Sequence, residues 1–473
     1  MSLALGLVII PLLAALLMLL WPRLARGLQL AAALLCTILA TMLLQLVQQE
    51  GSQQLFIGGW NPLLAIRWQA DSVTALLLLL SAVLHLLVSG YALAVQQRDK
   101  LAAAFWPLSS LLLASLQALW LSRDLFNLYV CLELLGMVAV ALVTLSGDKA
   151  MRPALHYLLF SLFASLCYLL GVALLYGAYG ALDLPLLQGQ LQANSLTAAA
   201  LVLITLGLML KAAWWPLHLW LPAAHAAAPA PVSALLSALV VKGPLFILVL
   251  VWTTLAPAAF LNVAAYAFLV CALGALLLAG VAALRTPYSK TLVAYSTVAQ
   301  LGYAMLALAL MLSFNLPVFT AALWLFVMAH ALAKAACFLS IGEMQQTLGV
   351  KKVAQLKGAS QTMPLAMFAF AVAGGSLIGL PPSGGFLAKW VMLLGLWQAQ
   401  QYFLLLVLLV ATLVSAAYIF RVVVLAFDRA EPTAPDFSPQ LLPQWLALLP
   451  ALAVWAMAFF SMPLLAILQQ ELS

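Results

Sequence analysis

The sequence predicts an all-α, polytopic membrane protein of about fourteen transmembrane helices that contains two inverted five-helix repeats. Three observations lead there. Hydrophobic residues make up 67% of the chain and charged residues 7%, with a mean hydropathy of +1.16; a soluble domain carries about 25% charge. Apolar segments of about 20 residues, long enough to cross a bilayer, recur from end to end. Interruptions rich in proline and glycine fall at corresponding positions of two such segments, the mark of a repeated transporter unit.

The segments follow one another closely. Leu3–Leu20 has no basic residue ahead of it and Arg23 and Arg26 behind it. A secretory signal would carry its positive charge first, so this reads as a retained first span. Fourteen spans are expected near 2–20, 28–47, 72–95, 103–121, 124–145, 154–177, 197–222, 230–254, 260–284, 291–313, 317–341, 363–397, 402–427 and 441–468. The short connections leave no room for a soluble domain. The expected division is a three-helix segment over 1–100, a first five-helix repeat over 101–255, a second over 256–428, and a last transmembrane helix within 429–473. Five is odd, so consecutive five-span units have opposite topology.

Charge distribution orients the chain. With the N-terminus outside, cytoplasmic loops receive Arg23, Arg26, Arg98, Lys100, Lys149, Arg152, Arg285, Lys290, Lys351, Lys352, Lys357 and Arg429, and the opposite loops only Arg67 and Arg123. That asymmetry is the one expected of an inner-membrane protein. Arg421, near the end of span 13, is expected to snorkel to the headgroups. The net charge of +7 is scattered over short loops without a basic stripe, which argues against nucleic acid as a partner. Cys36, Cys131, Cys167, Cys271 and Cys337 lie singly in apolar segments, without C-x-x-C or Cys/His spacing, and read as packing residues. The sequence assigns no metal and no cofactor.

Lys211, Lys242, Lys334 and Lys389 remain, together with Glu133, the one acid expected well inside a span. A central Lys or Asp costs about 2.5–3.5 kcal/mol on insertion scales. Helix-packing pairs would explain them, but Leu would pack at lower cost. Lysine suits proton transfer: burial disfavours its charged form, so it can release a proton that arginine keeps. A nearby carboxylate would hold that proton until the pair separates.

Two of the lysines sit at broken spans. Span 7 reads Lys211-Ala-Ala-Trp-Trp-Pro216-Leu-His218, and span 12 reads Gly379-Leu-Pro381-Pro382-Ser-Gly384-Gly385-Phe386 before Lys389. Proline inside a span frees carbonyls, which is tolerated only against protein or a hydrated cavity. Gly374-Gly375 and Gly384-Gly385 read as flexible or close-packing points around the second break. His218 follows Lys211 by two turns, His225 follows Pro222, and His330 lies four residues before Lys334 on one helix face. Imidazole titrates near neutrality and can relay a proton, although a lone His can also hold helices together. His156 reads as interfacial. Ser233, Ser237, Ser296, Thr297, Gln300 and Tyr303 are candidates for a wet path.

The stretch Lys211-AAWWPLHLWLPAAHAAAPAPVSALLSALVV-Lys242-Gly243 closely resembles the most characteristic block of the antiporter-like proton-translocating family. That family includes the D subunit of Mrp-type sodium/proton antiporters and the membrane-arm pumping subunits of respiratory complex I and related hydrogenases. Asp124-LFNLYVCLE-Leu134, Ser289-KTLVAYSTVAQLGY-Ala304, His330-ALAKAACFLSIGE-Met344 and Gly379-LPPSGGFLAKW-Val391 agree with it in order and span. The resemblance implies that Glu133 pairs with Lys211, that Lys242 passes the proton inward beside His330 and Lys334, and that the proton leaves from Lys389. Such members hold no catalytic chemistry and couple charge movement to neighbouring subunits. The chain departs from the family at Ala223, Ala227 and Ser289, where acids are usual. Lys389 disfavours the complex I subunit type that carries glutamate there.

The expected function is that of a proton-translocating component, similar to the Mrp D subunit, of a multisubunit monovalent cation/proton antiporter in the cell inner membrane. Other membrane subunits are its expected partners, with protons and, as a possible second ion, sodium. The alternatives are the proton channel of a complex I-like, membrane hydrogenase or inorganic-carbon uptake complex, and a non-conducting scaffold. No P-loop, dinucleotide fingerprint or nucleophile elbow is present to suggest an enzyme acting alone.

Overall fold

The computed structural model describes residues 2–58, 65–99, 101–428 and 438–469. Among them, ten helices are long and apolar enough to cross a membrane, one helix pair bent by 73° passes the same test together, and three shorter apolar helices bring the apolar segments to the expected fourteen. Spans 1 to 6 are Ser2–Leu20, Ala25–Glu50, Ser72–Asp99, Phe105–Leu121, Leu125–Thr144 and Asp148–Tyr179. Span 7 is broken into Ser195–Lys211 and Trp220–Ala227. Span 8 runs over Ala230–Leu255, span 9 over Ala258–Arg285, span 10 over Ser289–Phe314 and span 11 over Pro317–Leu348. Span 12 is broken into Pro364–Ile378 and Gly384–Gln398, span 13 is Tyr402–Phe427, and span 14 bends between Leu441–Ala456 and Ser461–Gln469. Arg98's side chain, Lys100 and Arg429 lie outside the described residues.

Burial sorts the spans. The apolar window of span 11 is 100% buried and that of span 8 is 94% buried, whereas spans 1, 2 and 13 are 33% buried. Spans 8 and 11 therefore form the protein-lined centre, and the outer helices present Leu, Phe and Val to lipid. A helix hydrophobic all round belongs in such a centre. Close packing is enforced by small residues: a Cβ on Gly207 of span 7 would run into the Ala164 carbonyl of span 6. Without a hydrophobic drive between helices in lipid, such backbone approach supplies the packing contacts. Cys36, Cys131, Cys167 and Cys337 are buried among the spans and Cys271 is half-buried.

Three features differ from expectation. Gln53–Ile57 and Ile66–Ala70 form an antiparallel hairpin between spans 2 and 3, a small exception to the all-α class. Arg421 does not reach out to headgroups. Its guanidinium bonds the Leu284 and Thr286 carbonyls, capping the C-terminus of span 9. Span 11 extends to Leu348, which places a second acid, Glu343, fully buried within it.

The loop charges collect at two ends of the bundle. At one end Arg67 pairs with Asp183 at 2.9 Å and Arg123 with Asp71 at 2.6 Å, and Arg123 also takes the Trp120 and Ser122 carbonyls at 3.0 Å. Burial raises the Asp71 carboxyl pKa, but Arg123 and Thr74 outweigh it and hold the group below its ordinary value. At the other end Ser289 bonds the Lys351 carbonyl at 3.1 Å and Lys357 pairs with Asp428 at 2.8 Å.

Candidate functional site: a buried line of lysines

All four lysines singled out in the sequence are buried inside the bundle. Each is held in a different way. Lys211 ends the first half of span 7, and its Nζ meets Glu133 Oε1 of span 5 at 2.8 Å and Ser161 Oγ of span 6 at 3.1 Å. Ser165, one turn along span 6, donates to the same carboxylate oxygen. Carbonyls freed by the break are satisfied locally: Trp220 Nε1 takes the Leu210 carbonyl at 2.9 Å and the Trp214 amide takes that of Met209 at 3.0 Å. Lys211 is thus left to its carboxylate.

Lys242 follows a π-helical turn at Leu236–Val240. Such a turn leaves carbonyls without their usual i+4 partners. The ammonium takes one of them, that of Ser237. The Ser237 hydroxyl lies 2.9 Å from Thr297 Oγ1 on span 10. Lys334 of span 11 bonds the neighbouring Ser296 hydroxyl and the Val293 carbonyl, the latter at 3.0 Å. One turn beyond Ser296, Gln300 Nε2 donates to the Leu377 carbonyl, Ser415 Oγ and Tyr418 Oη, each at 3.1 Å.

The Leu377 carbonyl closes the line. Lys389 Nζ bonds it at 2.9 Å and the Ile378 carbonyl at 3.0 Å, and lies 4.2 Å from the centre of the Tyr303 ring. These carbonyls end the first half of span 12, where Gly379 turns the chain at φ +95°. Lys389 therefore caps a helix C-terminus, the negative end of its dipole. The second half returns very close: a Cβ on Gly385 would overlap the Ser376 carbonyl, so only glycine fits. Gly374, whose added Cβ would meet Ile419 Cγ2 at 2.5 Å, is likewise a packing point.

Polar contacts thus run from Lys242 through Ser237, Thr297 and the Val293 carbonyl to Lys334, and from Gln300 through Leu377 to Lys389. Lys211 and Lys242 share no direct bond among the described residues. Beside Lys211 lies a cavity of about 10 Å3 lined also by Leu135, Gly136, Ser161, Val240 and Pro244, room for about one water.

The histidines sit beside it. His330 stacks on Phe326 with centroids 5.4 Å apart, and His225 on Phe338 at 4.6 Å. Among the described residues neither ring nitrogen of His225 or of His330 has a hydrogen-bond partner, nor has Nδ1 of His218. His330 and Lys334 share a helix face but no bond between them is seen. Ser233 donates to the His225 carbonyl at 3.1 Å rather than to its ring. Buried polar atoms without protein partners are rare and call for water. His156 shows no tie to the line.

Sequence reasoning missed Ser161, Ser165, Ser415 and Tyr418, which complete the coordination of Glu133, Lys211 and Gln300. Hydroxyl residues are common in spans and usually bond their own helix, so nothing in the sequence separates these from the rest. It also missed His85 and Glu343.

A family model described as the NADH:quinone oxidoreductase/Mrp antiporter transmembrane family matches residues 122–415. NADH-quinone oxidoreductase subunit N of Desulforudis audaxviator is 35% identical over 90% of this chain and 86% of its own length. The D subunit of the Na(+)/H(+) antiporter of Bacillus subtilis is 27% identical over 90% of this chain and 87% of its own. Among solved structures, the Mrp complex of Dietzia sp. DQ12-45-1b superposes with a TM-score of 0.92 at 23% identity, covering 99% of this chain and 96% of that one. An archaeal membrane-bound sulfane sulfur reductase superposes with a TM-score of 0.90 at 25% identity, covering 100% of this chain and 97% of that one.

Proposed function

The chain belongs to the NADH:quinone oxidoreductase/Mrp antiporter membrane family, and we propose that it is the proton-translocating component, equivalent to the Mrp D subunit, of a multisubunit monovalent cation/proton antiporter. The observation that carries this is the set of buried ammonium groups, Lys242 and Lys334 joined through span 10 and Lys389 joined to Gln300 at the Leu377 carbonyl, with the Glu133–Lys211 pair at its head. Glu133, Lys211, Lys242, Lys334 and Lys389 hold and pass protons; His218 and His330 relay them through water; His225, Ser233, Ser237 and Gln300 line the path. Ions in a span are expensive unless they face such an interior, and there they mark ion pathways by default.

Geometry supplies the coupling. An ammonium beside a carboxylate is neutralised as a pair, and drawing the two apart leaves each group to seek a proton or lose one. Lys242 and Lys334 reach the adjacent span-10 residues Thr297 and Ser296, the first through Ser237, so a proton on either raises the cost of a proton on the other. Movement at one lysine is thereby felt at the next.

The chain sits in the inner membrane with its N-terminus outside, so that the Arg67–Arg123 end faces out and the Lys351–Lys357 end faces the cytoplasm. It divides into 1–100, repeats over 101–255 and 256–428, and a closing helix within 429–473. Its partners are further membrane subunits, and sodium is the cation that the antiporter relatives suggest. A second reading, a proton-pumping subunit of a redox-driven complex, is favoured by the 35% identity to a subunit N.

The test is reconstitution of the complex in which the chain is found. Replacing Lys211 or Glu133 with Ala stops proton transport while assembly is retained. Transport at the normal rate in either variant would leave only a scaffold. Co-purified antiporter subunits favour the first reading, and a redox catalytic subunit the second.

A further inference from the structure

We propose that span 3 carries a second polar path, a hydrated column that runs across the membrane instead of along its plane, with His85 as its proton-exchanging group. It rests on the reading of the chain as a proton carrier but uses none of the residues assigned above.

Thr74, Leu78, Ser81, His85 and Ser89 are spaced four, three, four and four residues apart, which places them on one stripe of the Ser72–Asp99 helix. Each of these positions meets a polar group from a neighbour. Arg123 Nη2 donates to Thr74 Oγ1 at 2.8 Å, Gln117 Nε2 to the Leu78 carbonyl at 3.3 Å, and Trp120 Nε1 to Ser81 Oγ at 2.9 Å. His85 Nε2 lies 2.7 Å from Gln29 Nε2 and 3.1 Å from Ser109 Oγ, and Gln29 also reaches Ser89 Oγ at 3.0 Å. From Thr74 to Ser89 the stripe rises roughly 22 Å at 1.5 Å per residue, most of a hydrocarbon core about 30 Å thick. The Asp71–Arg123 pair stands at one end. At the other, Tyr91 Oη donates to Glu343 Oε2 at 3.1 Å, the buried acid of span 11.

Helix glue would explain these bonds if they closed on one another. They do not. His85, Gln29 and Gln117 are fully or almost fully buried, yet His85 Nδ1, Gln29 Oε1 and Gln117 Oε1 have no hydrogen-bond partner among the described residues. Whichever ring nitrogen carries the proton, one is left over, and an amide oxygen on each of the neighbouring spans 2 and 4 is likewise unfilled. Buried waters occupy sites of this kind, where two to four polar atoms converge. No carboxylate or ammonium pairs with His85 among the described residues, so its imidazole can bind and release a proton without breaking an ion pair. Of the elements packed on span 3, spans 4 and 14 carry no acid or base, span 2 carries Arg26 and Glu50 at its ends, span 8 carries Lys242, span 11 brings His330, Lys334 and Glu343, and the strand Ile66–Ala70 brings Arg67.

The experiment uses the assembled complex in phosphatidylethanolamine/phosphatidylglycerol vesicles holding a pH-sensitive dye, with proton flux driven by an imposed gradient. His85→Leu lowers the flux roughly tenfold, less than Lys211→Ala does, because the column acts in series with the lysine line and water left in it still passes protons slowly. His85→Gln keeps the bonds to Gln29 and Ser109 but cannot exchange a proton, so it assembles normally and stays slow. Wild-type flux in His85→Gln would make the cluster structural and overturn the proposal, even if His85→Leu failed to assemble. Lys211→Ala in the same vesicles separates the two ideas. Loss there with normal flux in both His85 variants sinks only the column, whereas normal flux there with slow His85 variants sinks the lysine line and leaves the column.

Discussion

Lys211 and Lys389 occupy the same place in two halves of one chain, each beside a break in the fourth helix of its repeat, yet they are neutralised by different means. Lys211 faces a carboxylate, and the carbonyls freed by its break are taken by Trp214 and Trp220. Lys389 has no carboxylate partner among the described residues; it takes the freed carbonyls of Leu377 and Ile378 itself, with the Tyr303 ring over it. A full negative charge holds an ammonium more firmly than carbonyl dipoles or a ring face do. On the proposed function, the first half would store a proton in an ion pair, and the second would offer a cation that loses less when its proton leaves. Such asymmetry gives a line built from repeats a beginning and an end.

That contrast can be broken by mutation. Lys211→Ala strips Glu133 of its counter-ion, so the account expects a flux loss of roughly 10²-fold and, in thermal melts of the complex, a destabilisation of about 3–5 kcal/mol. Lys389→Ala stops flux comparably but leaves only carbonyls bare, which costs about 1–3 kcal/mol. Equal melting shifts for the two would erase the distinction. Gly385→Ala comes next, since its Cβ would overlap the Ser376 backbone and must push apart the two halves of span 12. The same change at Gly177 of span 6 meets nothing within 4 Å; flux assays should show Gly385→Ala impaired and Gly177→Ala nearly normal. The smallest effect expected is that of Gln300→Leu, which removes a link to the Leu377 carbonyl while Lys389 keeps its own, and slows flux without changing assembly.

How much of this could be read from residues alone depends on contrast. A lysine in twenty apolar neighbours is conspicuous, as is Pro-Pro inside a span, so the spans, both breaks and all four lysines were legible. Hydroxyls were legible only in part: Ser237, Ser296 and Thr297 stood out near the lysines, but Ser161 and Ser165 resemble any other span serine until Glu133 is placed beside them. Glu343 was lost to a helix end set seven residues short of Leu348. His85 lacks a motif and becomes informative only when Gln29 of span 2 and Ser109 of span 4 converge on it. The hairpin was hidden by weak alternation in Gln53–Ile57, and Arg421 by the assumption that a basic residue near a span end seeks water.

The central claim is that these lysines are present because they can give up a proton. Lys211→Arg tests it most directly, since guanidinium keeps the charge and can keep the bond to Glu133 but does not deprotonate in proteins. Proton flux measured in vesicles containing the intact complex should fall as far as in Lys211→Ala while the melting temperature stays near that of the wild type. Wild-type flux in the arginine variant would mean that the buried charge, and not its proton, is what the protein uses.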